Sequence, residues 1–141
     1  MILMAVDYGD VRTGVALCDR LELLASPLTV LVQENPKRLL AQLCALAAEH
    51  GVQEIVVGLP RNMDGSEGRR AEKCRAFAAE LAEKSALPVT MRDERLSTVS
   101  AHRALNATNT RGKKRKEVVD AVSAVIILQD YLDYRKKFAS R

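Results

Sequence analysis

The stretch Leu3-Met4-Ala5-Val6-Asp7-Tyr8-Gly9-Asp10-Val11-Arg12-Thr13-Gly14-Val15-Ala16-Leu17-Cys18-Asp19 constrains the fold more than any other part of the chain. Two apolar runs flank a short polar turn, a pattern that reads as two strands joined by a hairpin. Asp7 closes the first run, so its carboxylate stands at the mouth of a sheet rather than on a solvated face. Gly9 and Gly14 remove side chains on either side of the turn, which lets another backbone or a ligand come close. A turn with a capping Asp would produce the same local pattern. Two further carboxylates, far along the chain, stand in equally apolar surroundings.

Between them the chain alternates strands and helices. Ser26–Val32 is a third strand entered at Pro27, and residues 36–50 place Leu39, Leu40, Leu43, Leu46 and Ala47 at helical spacing. Asn35 is the expected cap of that helix, Pro36 sits in its first turn and Gly51 stops it. Gln53–Leu59 is a β-branched run suited to a strand covered on both faces. Residues 60–66 form a loop dense in turn residues, in which Asp64 or Ser66 could cap the next helix. That helix carries Ala71, Cys74, Phe77, Ala78 and Leu81 on one face, opposite Arg, Glu and Lys. Residues 88–92 are a fifth strand. A helix over about 97–107, a connecting stretch to Lys116 and a last helix from near Glu117 complete the chain. The expected fold is α/β: a mixed five-stranded sheet with helices on both faces, in one domain spanning 1–141.

The second carboxylate is Glu94, in Asp93-Glu94-Arg95-Leu96-Ser97-Thr98 just past the fifth strand. A helix start capped by Ser97 or Thr98 accounts for part of this pattern. The third is Asp120, in Val118-Val119-Asp120-Ala121-Val122-Ser123-Ala124-Val125-Ile126-Ile127-Leu128, a segment apolar nearly all round a helix and therefore buried. An isolated charge there costs several kcal/mol, of which the helix dipole returns only about 0.3–1 kcal/mol. A cation is needed beside it, either a side chain or a metal. Asp7, Glu94 and Asp120, from two strand ends and a helix start, can converge at one edge of a sheet. Such an all-oxygen set favours Mg²⁺ or Mn²⁺, and two such ions could carry a phosphodiester displacement. His50 and His102 have no metal spacing, and neither a nucleophilic Ser or Cys motif nor a Walker-type loop is present.

The 141 residues carry a net charge of +4 and an aromatic content of 4% without Trp. That is a moderate bias toward polyanions without a surface built on base stacking. Cys18, Cys44 and Cys74 show no paired spacing and read as buried free thiols of a reducing cytosol. No segment has the length and apolarity of a membrane span, and the expected location is cytoplasmic.

Asp7-Tyr8-Gly9, Arg12-Thr13-Gly14 with Asp19, Gly58-Leu59-Pro60 through Asn62-Met63-Asp64-Gly65-Ser66, Asp93-Glu94-Arg95-Leu96-Ser97-Thr98 and Val119-Asp120-Ala121 resemble the bacterial YqgF family nearly end to end. Its members are described both as RuvX-type Holliday junction resolvases and as nucleases for the 5′ end of precursor 16S rRNA. The resemblance implies a ribonuclease H-like fold and a cytoplasmic divalent-metal nuclease. Asp7, Glu94 and Asp120 would be its catalytic, metal-binding acids, with Asp93 a neighbour able to share or replace the role of Glu94. Thr13, Cys18 and Ser97 depart slightly from the family's pattern without touching the acids.

Nucleic acid is the expected partner, with precursor or structured RNA ahead of branched DNA. The run Arg111-Gly112-Lys113-Lys114-Arg115-Lys116 precedes Asp120 and could hold phosphates through Lys113, Lys114, Arg115 and Lys116, or be only a solvated loop. Arg12 could contact the scissile phosphate or pair with Asp10. Two readings compete with the nuclease. Asp-x-Gly hairpins also occur in sugar-kinase and chaperone-type ATPases, which close a second lobe over ATP that 141 residues cannot supply. A non-catalytic RNA-binding or transcription-associated factor would be indifferent to loss of the acids.

Overall fold

The computed structural model describes residues 1–94 and 113–139, with side chains described to Glu94 and from Ala121 to Phe138. Within them the strands are β1 (Leu3–Asp7), β2 (Arg12–Cys18), β3 (Ala25–Val32), β4 (Glu54–Leu59) and β5 (Val89–Asp93). The helices are α1 (Pro36–His50), α2 (Arg69–Ser85) and α3 (Lys113–Ala139). The sheet has the order β3-β2-β1-β4-β5. Short loops join β1, β2 and β3, and these pairs are antiparallel. Helical crossovers lead into β4 and β5, which pair parallel to β1 and to β4. This is the expected mixed sheet.

Strand periodicity divides the core in two. Met4, Val6, Val15, Ile55 and Val57 face α1 and α2, meeting Leu39, Leu40, Leu43, Phe77, Ala78 and Leu81. Leu3, Ala5, Ala16 and Val56 face α3, meeting Ala124, Ile127, Leu128 and Leu132. Each strand residue faces opposite to its neighbour, so Asp7 continues the Leu3 and Ala5 row, toward the side of α3.

The Asn35 side chain accepts hydrogen bonds from the Lys37 and Arg38 amides at 3.0 and 3.3 Å, capping α1 as expected. Gly51 ends that helix at φ 66°. The buried stripe of α2 is the expected one, from Ala71 to Leu81. Its cap is not. Gly68 occupies the N-cap position with no side-chain bond, while Asp64 and Ser66 bond to each other inside the preceding loop. The last helix starts at Lys113 rather than near Glu117, so Lys113–Lys116 form its first turn. It covers one face of the sheet, which leaves Val125 and Ile126 half-buried although the segment is apolar nearly all round. Cys18 and Cys74 are buried free thiols, but Cys44 is only partly covered. The helix expected over 97–107 lies outside the described residues.

Candidate active site

Three strand ends define the site. Asp7 is the last residue of β1 and is 6% exposed. It pairs with Gly14 of β2, and the Val6–Val57 register places Gly58 of β4 level with it on the other side. The carboxylate thus stands between two positions without side chains.

Glu94 follows β5 directly and is 3% exposed. Its carboxylate lies over Gly58: a Cβ built there would meet Glu94 Oε1 at 2.7 Å and Ile127 Cδ1 at 2.7 Å. Because Gly58 continues the row of Val56, Glu94 and Asp7 share the α3 side of the sheet. Two buried carboxylates at strand ends flanking β4 on one sheet face are costly unless cations accompany them.

The direction of α3 sets which end of that helix approaches the carboxylates. Tyr131 Oη donates to Glu54 Oε2 at 2.8 Å at the start of β4, whereas Ile127 reaches Gly58 near its end. The helix therefore runs antiparallel to β4, and its earlier residues lie toward the carboxylate edge. Position 120 lies four residues before Ala124 in the same helix, about one turn nearer that edge. The Asp120 side chain is outside the described ones. Among the described residues no three His, Cys, Asp or Glu side chains form a metal-holding group. The Asp7 and Glu94 pair has the donor chemistry of hard dications, oxygen only and shielded from water.

Asp93 has a different environment from Glu94. It continues the row of Met91, which packs toward α2, and its Oδ2 pairs with Arg61 Nη1 at 3.5 Å. Alternation along β5 thus sends Asp93 to the face opposite Glu94.

Arg12 begins β2 on the row of Gly14 and Ala16, the Asp7 side of the sheet. It does not take Asp10 as its partner. Asp10 pairs with Arg70 at 3.0 Å and Lys73 at 3.7 Å, while Arg12 Nε is buried with no hydrogen-bond partner among the described residues. The Arg12 carbonyl passes 2.0 Å from where a Gly9 Cβ would be, so only glycine fits that turn.

Sequence reasoning missed the brace beneath this hairpin. Arg70 donates to the Tyr8 carbonyl, and its guanidinium lies 5.3 Å from the centroid of the Tyr8 ring. Tyr8 in turn stacks on Phe77 with centroids 4.0 Å apart. Burial raises the Tyr8 phenol above its ordinary pKa, with Arg70 opposing. The signal for Gly58 was present in Gly58-Leu59-Pro60, but its partner Glu94 is 36 residues away in the sequence.

Residues 1–134 match the RuvX family, described as a Holliday junction resolvase. The chain belongs to the RuvX family. A relative from Halothermothrix orenii, named "Putative pre-16S rRNA nuclease", is 47% identical over 137 residues, covering 97% of this chain and 98% of its own. Relatives of the same name from Moorella thermoacetica (47%; 94% and 95% covered) and Cereibacter sphaeroides (49%; 93% and 82% covered) agree with that placement. Among solved structures, Thermus thermophilus RuvC superposes with a TM-score of 0.59 at 14% identity, over 97% of each chain. A fowlpox virus Holliday junction resolvase gives 0.54 at 12%, over 95% of this chain and 99% of its own. At those identities the likeness is one of fold, and this RuvX chain has the ribonuclease H-like fold expected from its sequence.

Proposed function

We propose that this chain is a divalent-metal nuclease that trims the 5′ end of precursor 16S rRNA in the cytoplasm, with Asp7, Glu94 and Asp120 as metal-holding acids. The observation that carries the reading is the pair Asp7 and Glu94: both buried, on one sheet face, with Gly58 clearing the space that Glu94 occupies. Mg²⁺ or Mn²⁺, as a pair of ions, would activate water and neutralise charge on the phosphate there. The carboxylates anchor and orient, and they do so from strand ends, which move little. Arg12, on the same face with an unpartnered Nε, supplies a donor for a phosphate oxygen. Among the described residues no helix is long and apolar enough to cross a membrane.

The names of the relatives favour precursor rRNA, while the family description favours four-way DNA junctions. A side-by-side assay decides between them, offering precursor 16S rRNA, single-stranded RNA and a four-way junction, each with Mg²⁺, Mn²⁺ or chelator. Metal-dependent trimming of the precursor at the highest kcat/KM is expected. Preferred symmetric cutting of the junction would make the chain a resolvase. No cleavage of any substrate would leave the non-catalytic factor.

The basic run belongs to this reading. Lys113–Lys116 occupy the first turn of α3, which holds no acidic residue. Cations at a helix N-terminus oppose its dipole, and a phosphate backbone offsets that cost. Replacing Lys113 and Lys114 with Gln should weaken binding equally for all sequences and lower the slope of log affinity against log salt by about 1.4–1.8, at roughly 0.7–0.9 per lost phosphate contact. The rate at saturating substrate should hardly change. An unchanged slope would move the polyanion surface to Arg69, since Arg61 and Arg70 are already paired with acids.

A further inference from the structure

Met63 is 91% exposed, yet it does not sit on a loose loop. The Gly65 amide donates to the Asn62 carbonyl at 2.9 Å, closing a β-turn with Met63 at its second position. The Asn62 amide donates to the Ser66 carbonyl at 2.9 Å, and Asn62 Nδ2 to Ser66 Oγ at 3.0 Å. Ser66 Oγ donates to Asp64 Oδ1 at 2.6 Å. The base of the loop is tied down as well, through Arg61 to Asp93 and Glu67, and through Glu67 to Arg75 at 2.6 Å. A largely exposed apolar side chain is thus carried by a turn that hydrogen bonds hold in shape.

Its position gives this a purpose. The loop leaves β4 at Leu59, which pairs with Asp93, the residue before Glu94. Four residues of chain put the Met63 Cα at most about 14 Å from Leu59. At about 3.4 Å of rise per base, that is within a few nucleotides of a phosphodiester held at the carboxylates. The flanking charges are wrong for phosphate, because Asp64 and Glu67 are acidic and Arg61 is already paired. An unbranched thioether adapts to irregular apolar faces and is among the side chains that wedge between base steps.

We infer that Met63 is a wedge that unstacks a base close to the cut, so that the site takes nucleic acid with an unpaired or easily unpaired nucleotide there. This rests on the nuclease reading. The test uses a precursor 16S rRNA 5′-end hairpin carrying 2-aminopurine at successive positions around the cut, with binding followed in chelator and cleavage in Mg²⁺ or Mn²⁺. Wild-type protein should raise the fluorescence at one position. Met63→Ala should lose that rise and bind about tenfold more weakly, with kcat nearly kept and an unchanged melting temperature. Met63→Leu should restore both. If Met63→Ala matches wild type in fluorescence and KM while both cleave, the wedge is overturned, the nuclease stands, and the side chain is left to a protein contact. If wild type binds with the fluorescence rise but cleaves nothing, the nuclease reading falls and the wedge stands as a binding device.

Discussion

Asp7→Asn, Glu94→Gln and Asp120→Asn, made singly, are each expected to lower metal-dependent cleavage by about a thousandfold or more. Each replacement keeps size and removes one anionic oxygen donor. Asp7 and Glu94 are buried at strand ends on either side of β4, and their geometry leaves no obvious substitute. Asp93, the acid next in sequence, is turned to Arg61 on the other face, so Asp93→Asn should retain most activity. Folding should survive all four changes. In chelator the neutralised variants should melt at or above the wild-type temperature, because like charges no longer crowd one edge. Addition of Mg²⁺ or Mn²⁺ should raise the melting temperature of wild type and barely move Asp7→Asn or Glu94→Gln, since only a bound ligand stabilises the native state. Full cleavage by any one variant removes that residue from the site.

Gly58→Ala separates function from stability in a way few single methyl groups do. The added Cβ meets Glu94 Oε1 and Ile127 Cδ1, both at 2.7 Å, and both are far ends of flexible side chains. The fold can therefore accommodate the methyl at a cost of about 1 kcal/mol, toward the low end for overpacking. Both must give way, and one of them is the carboxylate oxygen itself. Misplacement of a catalytic group by about 1 Å can cost roughly a hundredfold, so kcat/KM should fall by about that factor. Denaturant melts and cleavage rates on the same preparation check both halves. Wild-type kcat/KM in a folded Gly58→Ala protein would show that Glu94 need not lie over β4 for the reaction. A large stability loss would instead mean that Ile127 cannot move.

The sequence alone determined the elements that rest on local chemistry. Asn35, Pro36 and Gly51 set both ends of α1, and the apolar stripe from Ala71 to Leu81 set the buried face of α2. Alternation along the strands and the length of the connections gave the mixed sheet, because a short loop returns a strand antiparallel and a helix brings it back parallel. The improbability of Asp7 in an apolar setting was also legible, since the penalty for burying a charge depends on its immediate neighbours. Where α2 and α3 begin was less so. Capping by Asp64 or Ser66 lost to hydrogen bonds within their own loop, and the basic run that read as a loop is helical from Lys113. What only the tertiary structure decided were relations between segments distant in the chain. Asp10 went to Arg70 rather than to Arg12, because the hairpin docks on α2. Glu94 and Asp93, adjacent in sequence, were sent to opposite faces by the two-residue period of a strand once β5 had a register. And the role of Gly58 became visible only when parallel pairing set β4 between Asp7 and Glu94, because a missing side chain has meaning only through what fills its place.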